Sequence, residues 1–181
     1  WNSSGKVGGA LSFNGNSQYI DVCDDCYDSH TQGTIAAWIK TGSSATQAIL
    51  TANNDQKYER SRNYFRIYNN KLEWYVNNAN NAVLTDLIGN TVVNNNQWHF
   101  VAVTVNSTRT ILYVDGNIDA ISNRNYWFDD GTGTGNKISH YFIGALRYSN
   151  PTVTNYFNGS IDNVMVFNRS LSLAEIQALH A

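Results

Sequence analysis

The sequence predicts an all-β fold, an antiparallel sandwich or barrel that ends in one short C-terminal helix. Short runs of aromatic and β-branched residues alternate with turns rich in Asn, Gly, Asp and Ser along all 181 residues. Such regular strand spacing is typical of antiparallel all-β proteins. Helical periodicity appears only in SLSLAEIQALHA near the end, where Ser172 and Glu175 have the spacing of a capping box.

The clearest hairpin signal is the stretch NYFRIYNNKLEWYVNN, residues 63–78. Two asparagines at 69–70 tolerate the positive φ angles of a two-residue turn, which fixes the strand register. Strand side chains alternate between two faces, so one face should be apolar and enter the core. The opposite face should be aromatic and charged, and it carries Tyr64, Tyr68, Tyr75, Arg66, Glu73 and Lys71. A second hairpin is expected at Asp115-Gly116.

Composition and charge exclude several classes of protein. With 42% hydrophobic and 14% charged residues, the chain is globular and can bury a sizeable core as one domain. A net charge of −2 without a basic block argues against a nucleic-acid partner. No apolar stretch approaches the roughly 20 residues of a membrane span. The opening WNSSGKVGG lacks a starting Met and reads as an excised fragment.

The two cysteines, Cys23 and Cys26, stand in the motif CDDC. Two thiols cannot supply a Cys₄ zinc site, although zinc with His30 as a third ligand stays an alternative. A thioredoxin-like motif would start a helix in a βαβ context, which this region lacks. We expect a short Cys23–Cys26 disulfide, as in exported proteins. Four sequons, beginning at Asn2, Asn106, Asn158 and Asn168, agree with export or arise by chance in an Asn-rich chain.

Four motifs occur in an order that resembles the laminin-G-like jelly roll of the concanavalin A-like lectin/glucanase superfamily. They are GGALSFNGNSQYIDV, TIAAWIK, WHFVAVTV with ILYVDGN, and FNGSIDNVMVFNRSLSLAEIQAL. The resemblance implies a single jelly-roll domain over residues 1–181, two stacked antiparallel sheets with the helix on the rim. Such domains are usually modules of larger exported proteins, so it also implies an extracellular or cell-surface location. Glycan binding and adhesion are their common functions.

The resemblance also implies a structural calcium ion. Family members often hold one calcium with a residue of the first Phe-Asp/Asn-Gly turn and an Asp of the last strand. Those positions are Asn14 and Asp162 here, and both offer the oxygen ligands that calcium prefers. The alternative is that Asn14 is only a turn residue and Asp162 only a strand cap.

An enzyme is not expected, although the superfamily includes glycoside hydrolases. Retaining hydrolysis needs two carboxyl groups about 5 Å apart. The hydrolases of this superfamily carry them in a Glu-x-Asp-x-x-Glu-like run, which this sequence lacks. Its only glutamates are Glu59, Glu73 and Glu175.

Non-catalytic binding of a glycan or polysaccharide, including cell-surface glycoproteins, is therefore the leading hypothesis. The family binds ligands on its concave sheet and rim loops, where rings stack on sugars and polar groups bond hydroxyls. Tyr64, Tyr75, Arg66 and Glu73 would form that platform, with Tyr126 and Trp127 as a wall. Simple cross-strand stabilisation explains the same residues. The rival function is a protein-adhesion or structural spacer module.

Overall fold

The computed structural model describes residues 3–23, 30–53, 62–78, 81–127, 140–149 and 152–181. Its strands are β1 (Leu11–Asn14), β2 (Ile20–Cys23), β3 (Gly33–Lys40), β4 (Gln47–Asn53), β5 (Arg62–Tyr68), β6 (Lys71–Asn77), β7 (Val83–Val92), β8 (Trp98–Val105), β9 (Thr110–Val114), β10 (Asn117–Ser122), β11 (His140–Ile143), β12 (Leu146–Ser149), β13 (Thr152–Thr154) and β14 (Asn158–Phe167). A helix, α1 (Leu173–His180), follows the last strand.

Two six-stranded sheets and one small hairpin make up the molecule. Sheet I has the order β1-β14-β3-β8-β9-β10, sheet II has the order β2-β11-β4-β5-β6-β7, and β12 pairs with β13. Every strand pair is antiparallel. The predicted two-sheet antiparallel sandwich with one short helix is confirmed. No helix in the described ranges has the length and apolar character to cross a membrane.

The hairpin of β5 and β6 has the register that the sequence predicts. Asn69 and Asn70 adopt φ angles of 49° and 67°, and Arg66 pairs with Glu73 and Tyr64 with Tyr75. The apolar face is fully buried between the sheets; its members are Phe65, Ile67, Leu72, Trp74 and Val76, all at 0% exposure. A two-residue turn that requires positive φ therefore decides which side chains enter the core.

Helix α1 covers the outer face of sheet I. Its Ile176, together with the preceding Leu171, packs against Trp38 and Phe100. This explains why β3 is buried on both faces, since one face meets sheet II and the other meets the helix. The capping box forms as predicted: the Ser172 hydroxyl accepts the Glu175 N–H, and the Glu175 carboxylate accepts the Ser172 N–H.

The edge strands β10 and β7 are fastened to each other by Asp119. Its carboxylate accepts hydrogen bonds from the backbone N–H groups of Asn90 (3.0 Å) and Thr91 (2.9 Å) and from the Thr91 hydroxyl (2.7 Å). Gly89 makes this approach feasible, because a Cβ there would lie 1.9 Å from Asp119 Oδ2. One side chain thus joins the two sheets along one side of the sandwich.

The β12–β13 hairpin lies over part of the outer face of sheet II. The Thr51 hydroxyl donates to the carbonyl of Ala145 (2.8 Å), and the Ala48 N–H donates to the carbonyl of Asn155 (2.9 Å). Leu146 packs against Ala48 and Tyr64. The hairpin therefore covers the β4 side of this face and borders the side formed by β5 and β6.

Candidate functional site

Five side chains form a cluster on the outer face of sheet II, which we call the tyrosine–arginine cluster. They are Tyr64, Arg66 and Tyr68 on β5, and Glu73 and Tyr75 on β6. Alternation along the two strands puts all five opposite the buried apolar face. The register of the β5–β6 hairpin therefore brings together the four platform residues that the sequence predicts on these strands.

Aromatic and cationic contacts organise the cluster. The rings of Tyr64 and Tyr75 stack with centroids 5.4 Å apart and planes 13° from parallel. The Arg66 guanidinium carbon lies 5.0 Å from the Tyr64 and Tyr68 ring centroids and 5.5 Å from that of Tyr75. These distances fall within the range of cation–π attraction. Arg66 Nε also donates to the Glu73 carboxylate.

Burial divides the cluster into supporting and accessible members. Glu73 is 1% exposed and Tyr64 is 5% exposed, so neither offers much surface to a ligand. Arg66, Tyr68 and Tyr75 are half-buried and border solvent. The four predicted platform residues are therefore not equivalent: Glu73 and Tyr64 hold Arg66 and Tyr75 in position, while Tyr68 joins the accessible set.

Burial favours the neutral forms of Tyr64 and Tyr75 by raising the pKa of each. Burial raises the pKa of Tyr64 to about 12, against the opposing charges of Arg62 and Arg66. Burial, reinforced by the charge of Asp86, also raises the pKa of Tyr75. Both phenols therefore remain protonated throughout the physiological range, and each hydroxyl can donate as well as accept a hydrogen bond.

Asp86 is a member of this surface that the sequence reading missed. It lies on β7 opposite Tyr75 and is exposed. The sequence between β6 and β7 predicts no register for β7, so only the alternation in VLTDLIGN could have indicated that Asp86 lies on this face. Burial raises the pKa of Glu73 against the effect of Arg66, and Asp86 raises it further. Because Glu73 is buried and bonded to Arg66, its carboxylate does not face solvent.

Trp127 does not form the predicted wall. It is 2% exposed and stacks on Trp74, with ring centroids 5.5 Å apart. Its carbonyl accepts from Asn63 Nδ2 (2.9 Å), and the Tyr126 carbonyl accepts from Trp74 Nε1 (3.1 Å). Asn63 and Trp74 belong to the inner face of sheet II, so this segment packs into the core. The outer cluster is instead bordered by Leu146 of the β12–β13 hairpin.

Comparison with known proteins identifies the family. A family model, Laminin_G_3 of the concanavalin A-like lectin/glucanases superfamily, matches residues 14–177. The chain belongs to this family. No curated protein sequence matches it.

Solved structures share the laminin-G-like fold over nearly the whole chain. The CBM40 of a Ruminococcus gnavus IT-sialidase, bound to α2,3-sialyllactose, has a TM-score of 0.74 at 20% identity and covers 95% of this chain and 98% of its own. Domain 4 of AbnA, an extracellular arabinanase of Geobacillus stearothermophilus in complex with arabinotriose, has a TM-score of 0.71 at 16% identity, covering 98% and 79%. Mouse laminin α1 domains LG4-5 score 0.64 at 16% identity, covering 94% and 44%.

Asn14 and Asp162, the two predicted calcium ligands of this laminin-G-like chain, lie on the neighbouring strands β1 and β14. Asn14 pairs with Asn158, four residues before Asp162 on β14. At about 3.3 Å per residue this separates the two backbone positions by roughly 13 Å along the strands. One calcium site formed by both residues stays a prediction.

Local hydrogen bonds account for both side chains. Asn14 Oδ1 accepts from the N–H groups of Asn16 and Ser17, both at 3.0 Å, as a turn residue does. Asp162 Oδ2 accepts the Val7 N–H at 2.9 Å and so anchors the segment before β1. These bonds fit the alternative in which Asn14 is a turn residue and Asp162 a strand cap.

The cysteine motif is only partly described. Cys23 is the last residue of β2, whereas Cys26 and Glu59 lie outside the described residues. The Cys23–Cys26 disulfide stays a prediction.

Proposed function

We propose that the chain is a non-catalytic carbohydrate-binding module of an extracellular or cell-surface protein, with the tyrosine–arginine cluster as its ligand face. The observation that carries this proposal is the position of Arg66, which lies within 5.5 Å of three tyrosine rings on a partly open sheet face. Stacked rings beside a guanidinium offer an apolar surface and hydrogen-bond donors in one place, as the two faces of a sugar ring require.

Each accessible member has a distinct role in this proposal. The rings of Tyr68 and Tyr75 stack on the C–H face of a pyranose or furanose. The terminal guanidinium nitrogens of Arg66 donate to ring hydroxyls, since its Nε is already bonded to Glu73. Tyr64 and Glu73 keep Arg66 and Tyr75 in place before the ligand arrives, which lowers the entropy cost of binding.

The ligands of structurally similar proteins support the glycan class. CBM40 of the Ruminococcus gnavus enzyme is bound to α2,3- and α2,6-sialyllactose, and the AbnA domain is bound to arabinotriose. We extend this class to the present chain as polysaccharide or cell-surface glycoprotein glycans. An exported parent protein, the Cys23–Cys26 disulfide and a calcium requirement belong to the same proposal.

Protein adhesion is a second candidate, favoured by exposed aliphatic side chains on the two strands that Asp119 joins. Ile88 and Val92 on β7 are 38% and 51% exposed, and Ile118 and Ile121 on β10 are 47% and 51% exposed. Apolar residues at such exposure are common at sites of protein contact when they form a patch. An adhesion module would use this side and would leave the tyrosine–arginine cluster unoccupied.

A glycan array tests the two candidates. The chain is applied with millimolar calcium and again with chelator, to a panel that includes sialyllactose and arabinotriose. Binding to a defined set of glycans supports the carbohydrate function, and its loss with chelator adds the calcium requirement. A blank array under both conditions would contradict the carbohydrate function and would favour adhesion.

A further inference from the structure

A polar pocket lies at one end of the sandwich, and no residue of the tyrosine–arginine cluster lines it. Its volume is about 500 Å³, within the range of about 300–1,000 Å³ that small-ligand sites occupy. Three chain segments line it: the β3–β4 loop, the loop before β8 and the start of β14. The lining residues are Thr41, Gly42, Ser43, Ser44, Asn96, Asn158 and Gly159.

A buried hydrogen-bond network fixes the floor of this rim pocket. The Thr41 hydroxyl, 1% exposed, lies 2.7 Å from the carbonyl of Asn158, and Gln47 Oε1 accepts the Asn158 N–H at 2.8 Å. The Asn96 N–H donates to the Thr41 carbonyl at 2.8 Å. All three segments are thus tied through Thr41 and Gln47, and the pocket is formed before any ligand binds.

Glycine makes one wall of the pocket possible. A Cβ on Gly159 would lie 2.1 Å from the Lys40 carbonyl oxygen, so only glycine permits β14 to begin there. Gly42 differs, because a Cβ there would make ordinary contacts of 3.6 Å with Asn96. Position 42 therefore accepts a side chain, which would reach toward Asn96 and reduce the pocket.

The exposed polar groups of the pocket have no partners within the described part of the chain. The side chains of Ser44, Asn96 and Asn158 are solvent-exposed and are not engaged in the hydrogen bonds that hold the floor. A carboxamide presents one acceptor and two donors, which matches a pair of adjacent hydroxyls. None of the seven lining residues is charged or aromatic, so the pocket offers nothing to an ionic or purely apolar ligand.

We infer that this rim pocket is a second binding site, and that it takes a neutral, hydroxyl-rich sugar unit. Asn96 and Asn158 bond the hydroxyls, Ser44 adds a further donor, and Gly42 and Gly159 let the sugar approach the backbone. The site does not depend on the tyrosine–arginine cluster, which uses rings and a guanidinium instead. Loss of sugar binding at one site should therefore leave binding at the other site unchanged.

Amide NMR titration tests the site with neutral disaccharides, namely lactose, maltose and cellobiose, each at millimolar concentration. The protein is produced without N-glycans, because Asn158 begins the sequon Asn-Gly-Ser. We expect at least one disaccharide to shift the resonances of Gly42, Gly159 and the Asn96 side chain. Shifts confined to β5 and β6 would support the tyrosine–arginine cluster and overturn the rim site, as would the absence of any shift.

Three variants distinguish the pocket from non-specific binding. Asn96→Gly removes the amide but keeps a residue that tolerates φ +64°, and Asn158→Ala removes the other amide. Each should weaken binding about fivefold, as expected for loss of one hydrogen bond. Gly42→Leu should abolish binding by filling the pocket. Asn163→Gly is the control, since Asn163 is exposed and also has positive φ, at 46°. Unchanged affinity in all three pocket variants would overturn the inference.

Discussion

The indole of Trp127 stacks on the indole of Trp74 inside the sandwich, with ring centroids 5.5 Å apart and planes 27° from parallel. This contact fixes the chain that leaves β10 against the inner face of sheet II. Gly33 on β3 permits it, because a Cβ there would lie 2.3 Å from a Trp127 ring carbon. The segment that carries Trp127 is therefore part of the core.

Trp127→Ala should lower the free energy of unfolding by about 3–5 kcal/mol, because it empties a large buried volume between the sheets. Ile121→Ala is the control, as its side chain is 51% exposed, and it should change stability by no more than about 0.5 kcal/mol. Urea unfolding measures both. A Trp127→Ala protein of unchanged stability but impaired glycan binding would restore Trp127 to the ligand face.

Asn69→Ala should destabilise the fold by about 1–2 kcal/mol, since alanine has a Cβ penalty in the left-handed region that asparagine tolerates better. Asn69 has φ 49° and is exposed. Asn69→Gly should retain wild-type stability within about 0.5 kcal/mol, because glycine adopts this φ freely. Equal stabilities of the two variants would show that the turn does not set the register of β5 and β6.

Gly89→Ala should destabilise the protein because its Cβ would collide with Asp119 Oδ2, and Asp119→Ala should relieve part of that cost. The two residues are in direct contact, so their effects on the free energy of unfolding should not add. The double mutant should be at least about 0.5 kcal/mol more stable than the sum of the two single changes predicts. Strict additivity would contradict the fastening of β10 to β7 through Asp119.

The capping box of α1 should make stability depend on acid pH. Hydrogen bonds from Arg169 and Ser172 lower the pKa of Glu175 from 4.5 to about 2. A carboxyl whose folded pKa is depressed contributes stability that is present above pH 4.5 and is lost as pH falls toward about 2. Glu175→Gln should remove this dependence, so the wild-type and variant stability curves should converge below pH 4.5. Parallel curves from pH 7 to 2 would contradict the contact.

Local interactions explain what the sequence predicted correctly. The Asn69-Asn70 turn and the Ser172–Glu175 capping box each depend on residues within a few positions of one another, and both are confirmed. The stacking of two antiparallel sheets as a jelly-roll sandwich was implied by the family resemblance. What the sequence could not predict is long-range placement: whether Trp127 faces the core depends on sheet II, and the separation of Asn14 from Asp162 depends on how β1 pairs with β14.

The border of the cluster could not be read from the sequence for the same reason. Leu146 meets Tyr64 only because β12 and β13 fold back over β4, and nothing in the local pattern of RYSNPTVT indicates that position. The alternation of β6 could be extended into β7 to predict that Asp86 lies on this face only if the sequence of their connection predicted a register, and it does not.

Calorimetric titration of single alanine variants measures whether Tyr68 and Tyr75 present rings to a glycan, as we propose. The glycan with the strongest array signal is titrated into wild type, Tyr68→Ala, Tyr75→Ala and the control Tyr19→Ala, which removes a tyrosine that is 42% exposed beside β2. Loss of a stacked ring should weaken binding at least about fivefold. We expect that loss for Tyr68→Ala and Tyr75→Ala, with melting temperatures close to wild type and unchanged affinity for Tyr19→Ala. Wild-type affinity in both cluster variants would contradict it.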